Sequence, residues 1–151
     1  MGRRATANLL GGLAALAVAF GTPSAMAQQA PAPAPVPALS LELNGVQSSD
    51  KGCRLTFVVA NQLGADLATV AFEIALFNEG GVVDRLTVLE FKDLPAGKTK
   101  VTRFDLAGTD CAKVSRVLVN RVAECSGQGV EPAACLRGLK TSSRAGIAFG
   151  L

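Results

Sequence analysis

The stretch Val70-Ala71-Phe72-Glu73-Ile74-Ala75-Leu76-Phe77, followed by Asn78-Glu79-Gly80-Gly81 and then Val82, decides the fold class. Val70, Phe72, Ile74 and Leu76 recur every second residue, so an extended strand places all four on one face. Asn78 to Gly81 supplies residues that tolerate left-handed backbone, and a second β-rich run, Val82 to Phe91, follows directly. A strand, a tight loop and a strand make a hairpin.

The same period of two continues in both directions. Leu39-Ser40-Leu41-Glu42-Leu43 and Leu55-Thr56-Phe57-Val58-Val59 alternate upstream. Lys98 to Leu106, Val114 to Val122 and a short run from Ile147 to Leu151 complete the set downstream. Asn44-Gly45, Ser48 to Gly52, Gly64-Ala65-Asp66 and Pro95-Ala96-Gly97 punctuate it. The first two breaks are expected to interrupt the chain before Cys53. Recurrent β-branched residues and closely spaced breakers argue against interior helices. Six or seven short strands so spaced predict an all-β, two-sheet sandwich over residues 38–151, with a small barrel as the alternative.

The N-terminus reads as an address label. Arg3 and Arg4 precede an apolar run from Leu9 to Phe20, Thr22-Pro23-Ser24 breaks it, and Ala25-Met26-Ala27 offers small residues for cleavage after Ala27. The apolar run falls short of the roughly 20 residues a spanning helix needs, so a cleaved signal peptide over 1–27 is expected rather than an anchor, leaving no stable membrane span. Arg3-Arg4 resembles a twin-arginine signal, but Gly2 before it and Ala5-Thr6-Ala7 after it depart from that pattern, which favours the general secretory route. No Cys lies near the cleavage site to carry a lipid. Residues 28–37, QQAPAPAPVP, form an Ala/Pro linker suited to extended polyproline II.

Composition removes much chemistry. Among 151 residues there is no His, Trp or Tyr. Imidazole acid–base catalysis, Ser-His-Asp or Cys-His nucleophiles and His metal ligands are therefore excluded. Gly97-Lys98-Thr99 is not a phosphate loop, since Lys92 stands where that motif needs Gly and a strand follows in place of a helix. Carboxylate pairs such as Asp66 with Glu73, or Asp84 with Glu90, carry acid–base chemistry only if the fold makes them face each other.

Cys53, Cys111, Cys125 and Cys135 remain after export. An even count in an oxidising compartment reads as two disulfides. Three pairings are possible, and Cys53–Cys111 with Cys125–Cys135 is favoured. Cys125 closes the last long strand, Gly127, Gly129 and Pro132 let the chain return to Cys135, Cys53 opens a core strand, and Cys111 sits just before another. The close pairs of a zinc site or a redox C-x-x-C are missing.

Of 15 Lys and Arg, two leave with the leader, so the processed chain nearly balances its 12 acidic residues. The basic residues Lys113, Arg116, Arg121, Arg137, Lys140 and Arg144 stand in the last quarter against only Glu124 and Glu131. They offer a cationic patch for an anionic partner, but no run of like charges forms, and a solvated surface is the simpler expectation. Export and weak charge argue against nucleic acid.

Three local features resemble the immunoglobulin-like modules of bacterial envelope proteins of the FxLYD type. Val58-Val59-Ala60-Asn61 leads to Leu63-Gly64, like that family's strand ending in Asn before a turn. Ile74-Ala75-Leu76-Phe77-Asn78 stands where Phe-x-Leu-Tyr-Asp would, keeping Leu76. Leu94-Pro95-Ala96-Gly97 then leads into a strand. The resemblance covers Cys53 to Leu106, about half the mature chain. It implies an immunoglobulin-like sandwich of about seven strands and a binding or accessory role, and it carries no catalytic residue.

The expected function is accordingly a non-enzymatic periplasmic or secreted interaction module with an envelope protein as partner, no cofactor and no metal. The alternative is a small-ligand or envelope-glycan binder, for which the seven Phe offer few exposed aromatics. A hydrolase built on a carboxylate pair ranks third. Oligomeric state is left open. The C-terminal stretch 137–151 reads as a final edge strand packed through Ile147 and Phe149, or as a strand offered to a partner's sheet.

Overall fold

The computed structural model describes residues 36–151; the expected signal peptide over 1–27 and all but the end of the expected linker over 28–37 lie outside the described residues. The described strands are β1 (Ala38–Ser49), β2 (Gly52–Gln62), β3 (Leu67–Phe77), β4 (Val83–Leu94), β5 (Thr99–Ala107), β6 (Arg116–Ser126), β7 (Leu139–Ser143) and β8 (Ala148–Gly150). A single 3-10 turn, Cys111–Lys113, precedes β6, and a one-turn helix, α1 (Ala134–Arg137), precedes β7.

Two four-stranded sheets pack face to face, one in the order β5-β2-β1-β7 and the other β4-β3-β6-β8. The chain is thus an all-β sandwich. The order β1-β2-β5 against β4-β3-β6 matches immunoglobulin strands A, B, E against C′, C, F. The C-terminal part departs from that plan. β7 joins the first sheet parallel to β1, and β8 joins the second parallel to β6. The last two strands therefore form an arch with one arm in each sheet.

Alternation builds the core. Leu39, Leu41 and Leu43 of β1, Leu55, Phe57 and Val59 of β2, and Val70, Phe72, Ile74 and Leu76 of β3 are all buried. Five Phe rings lock the two layers. Phe57 lies edge-on to Phe91 (5.8 Å), Phe104 (6.1 Å) and Phe149 (5.6 Å), and Phe91 to Phe72 (6.0 Å) and Phe104 (5.1 Å). Edge-to-face contacts of this kind contribute about 0.5–1.5 kcal/mol each beyond burial.

Two expectations about β1 and the C-terminus need correction. Asn44-Gly45 does not end a strand. Pairing with β2 resumes at Gly45↔Thr56 and Val46↔Leu55 after a register shift, so the pair is a β-bulge inside β1. The second expected break holds: the turn is at Asp50-Lys51, within Ser48–Gly52, between paired Ser49 and Gly52. Gly52 has φ +136°, and a Cβ there would collide with the Leu106 carbonyl, which explains glycine at this position. Leu139–Ser143 is a strand although it lacks apolar alternation, because β1 leaves a free edge that its backbone fills.

Asn61 ties the layers together. It is fully buried at the end of β2. Its side-chain amide donates to Leu94 O at the end of β4 (2.7 Å) and to Ala65 O (2.8 Å), and its carbonyl accepts from Leu63 N (3.1 Å). Its backbone N–H donates to Lys98 O, and its backbone carbonyl accepts from Gly97 N. One residue thereby fixes both crossovers between the sheets, β2 to β3 and β4 to β5.

Candidate functional site

The structure joins Cys53 to Cys111 and Cys125 to Cys135, with no free cysteine. The first bridge pins the 3-10 turn to the start of β2, and the second pins α1 to the end of β6. Disulfides persist in oxidising compartments, so two of them point outside the cytosol. Among the described residues no helix is long and apolar enough to cross a membrane.

The six C-terminal cations do not assemble into one patch. Arg121 pairs with Glu73 (3.0 Å), Arg137 with Glu131 (3.0 Å) and Arg144 with Glu42 (3.0 Å). Arg116 stacks over the Phe77 ring, 5.3 Å from its centroid. Lys113 sits in the 3-10 turn and Lys140 lies on β7 opposite Ser40. These positions span both sheets and one end of the sandwich. The local pairs neutralise half of the set.

The carboxylate pairs are likewise separated. Asp66 precedes β3, where its Oδ1 accepts from Ala96 N, and Glu73 lies along the same strand. At about 3.3 Å per strand residue the two stand roughly 20 Å apart. Asp84 and Glu90 are spread along β4 by a similar distance. The Glu73 carboxylate is held below its ordinary pKa by hydrogen bonds from Asn120 and then Arg121, as a structural group would be. No group of three or more potential metal-ligating residues occurs among the described residues.

The C-terminal segment is used internally. Phe149 belongs to the Phe cluster and Ile147 packs against the core. Ser143 Oγ donates to Ile147 O, and Arg144 N to Leu43 O, closing the bend between β7 and β8.

The surface that stands out lies on β4. Leu89 and Phe91 point into the core, so the opposite phase of the strand faces outward and carries Leu86 and Val88, which are 58% and 46% exposed. Val82 and Val83 extend the strip at 62% and 48%. Register places Leu86 beside Ala75 of β3, and Ala75 beside Leu118 of β6. Two large side chains thus flank a small one, making a shallow apolar trough across three strands. Glu90 and Lys92, paired at 3.4 Å, bound it on one side, and the Arg116–Phe77 stack bounds it on the other.

β4 is also an edge strand. Its free edge is laced to β5 at two points only. Arg85 Nη1 donates to Ala107 O and Thr109 Oγ1 (both 2.9 Å), and Lys100 Nζ donates to Lys92 O (2.7 Å). Between those ties, beside Leu86 and Val88, backbone groups of a long edge adjoin exposed apolar side chains. Both features mark association surfaces. Sequence reasoning placed this strand but missed the strip. The signal was available: Val82 to Phe91 holds apolar residues on both phases, more than one buried face needs. No family model, curated protein or solved structure matches this chain.

Proposed function

We propose that this protein is an exported, non-enzymatic interaction module of the cell envelope that docks a protein partner on the outer face and edge of β4. One observation carries the reading: the exposed apolar strip of Val82, Val83, Leu86 and Val88 beside an edge that pairs with no further strand among the described residues. Burying such a strip against a partner is favourable at about 25 cal/mol per Å² of apolar surface. The signal-like residues 1–27, the Ala/Pro tether and the two disulfides support a periplasmic or secreted location. The resemblance of Val58–Asn61, Ile74–Asn78 and Leu94–Gly97 to FxLYD-type envelope modules supports an accessory role. Those segments form the end of β2, the end of β3 and the β4–β5 turn.

The test is site-specific photo-crosslinking of the full chain in its native cell. A photoreactive residue at Leu86 or Val88 should yield a discrete protein adduct in the envelope fraction. The same residue at Val58, on the outer face of the other sheet, should not. Absence of an adduct at both strip positions, or an identical adduct at position 58, would refute docking on β4.

A further inference from the structure

The opposite face of the sandwich carries a surface of different chemistry. Register aligns Gly45 of β1, Thr56 of β2 and Arg103 of β5 in one row, and Gln47, Arg54 and Asp105 in the next. The bulge in β1 falls beside this row, and position 45 carries no side chain. A cavity of about 390 Å³ opens there, lined by Asn44, Gly45, Gln47, Arg54, Thr56 and Arg103.

Its polar groups are partly fixed and partly free. Arg54 is held by a forked pair with Asp105, Nε to Oδ1 at 2.9 Å and Nη2 to Oδ2 at 3.2 Å. That fork leaves Nη1 and one Nη2 hydrogen to donate elsewhere. Asp105 offsets the Arg54 charge. The Arg103 guanidinium makes no hydrogen bond or ion pair among the described residues, so its donors are open at the cavity wall. The Gln47 amide and Thr56 hydroxyl are equally unengaged there, and Asn44 spends one donor on Glu42 (2.9 Å). Beside them the row Val58–Val101 supplies apolar surface, with Val101 57% exposed.

An open guanidinium asks for one anionic group, and amides with a hydroxyl ask for a ligand rich in hydroxyls. An adjacent valine pair suits a C–H face. We propose that this cavity binds an acidic saccharide, with its carboxylate or phosphate on Arg103 and the spare Arg54 hydrogens, and its hydroxyls on Asn44, Gln47 and Thr56. The site lies on the sheet opposite the β4 strip and stands independently of the docking role.

The experiment is titration of the 15N-labelled folded chain with galacturonate, glucose 6-phosphate, neutral galactose and inorganic phosphate, followed by amide chemical shifts. Saturable shifts confined to residues 44–47, 54–56 and 103 are expected with an acidic sugar, and the tighter of the two acids identifies the anion. Galactose and inorganic phosphate should each bind at least about tenfold more weakly, since each lacks half of the contacts. Arg103→Gln should weaken binding by roughly tenfold or more, the worth of a charge-assisted hydrogen bond. Gly45→Leu should fill the cavity and abolish binding. Gly45→Ala controls for folding, because its Cβ meets the Thr56 side chain at an ordinary 3.8 Å. Absence of localised shifts, equal binding of inorganic phosphate, or unchanged affinity in Arg103→Gln would overturn the assignment.

Discussion

Replacing Asn61 by Ala should cost about 4 kcal/mol of stability, a large share of the roughly 5–15 kcal/mol typical of a domain. The figure follows from the partners left behind. Leu94 O is buried and bonded by the Asn61 amide at 2.7 Å, so losing its donor costs about 2 kcal/mol of uncompensated desolvation. Ala65 O and Leu63 N lie in a part-buried turn where water reaches them, and their lost bonds cost about 1 kcal/mol each. With a urea slope of about 1.5 kcal/mol/M for a domain of this size, the denaturation midpoint should fall by roughly 2–3 M.

Asn61→Asp separates hydrogen bonding from shape. Aspartate is nearly isosteric but carries no donor when ionised, so a carboxylate would face two carbonyl oxygens where the amide now donates at 2.7 and 2.8 Å. The variant should be no more stable than Asn61→Ala at pH 7. Protonation returns one donor, so the folded state holds the proton more tightly than the unfolded chain and the variant regains stability as pH falls. A midpoint shift below about 0.7 M for Asn61→Ala, or wild-type stability of Asn61→Asp at pH 7, would refute the view that this amide ties the sheets.

The disulfides should contribute unequally: by loop-closure entropy the Cys53–Cys111 bridge, with separation 58, is worth about 4 kcal/mol and the Cys125–Cys135 bridge, with separation 10, about 3 kcal/mol. Urea midpoints of the two Cys→Ala double variants test that order, and a clear reversal would show that native-state terms outweigh chain entropy. Acid should destabilise the fold through Glu42, Glu73 and Asp105, whose carboxyls are held below their ordinary pKa by hydrogen bonds from Asn44 and Arg144, from Asn120 and Arg121, and from Arg54 respectively. Because the folded state lowers these pKa values, their stabilisation is complete above the unfolded carboxylate range near 4 and is lost as pH falls below it. Asp105→Asn or Glu73→Gln should flatten the fall in urea midpoint between pH 5 and pH 3, and an unchanged slope in both would count against these pairs.

What was legible followed from burial. The face Val70, Phe72, Ile74 and Leu76 was readable because one side of β3 meets only core. The turn at Asn78 to Gly81 was readable because Gly81 needs φ +75° and the Asn78 side chain accepts from Val82 N at 3.0 Å. β7 was hidden because Leu-Lys-Thr-Ser-Ser carries no two-residue alternation; what makes it a strand is the backbone of β1, distant in sequence. The Asn44-Gly45 bulge was hidden for a related reason, since only pairing with β2 distinguishes a bulge from a turn. The acidic-sugar cavity depends on Gly45, Thr56 and Arg103 meeting across three strands, and no local pattern encodes that register.

The strand edges give a physical reason why the proposed docking falls on β4. On one flank β7 lies beside β1 and β8 beside β6, so these two become the edge strands there, and at five and three residues they are too short to template much pairing. On the other flank β5 is guarded along its length by Lys100, Arg103 and Asp105, the charged residues that blunt edge pairing. β4 carries its charges toward its ends, at Asp84 and Arg85 and at Glu90, Lys92 and Asp93. Its middle presents Leu86 and Val88 instead. The middle of β4 is therefore where the proposed partner would meet both a long edge and apolar side chains. The polar outer face of the other sheet remains free to bind a small charged ligand at the same time.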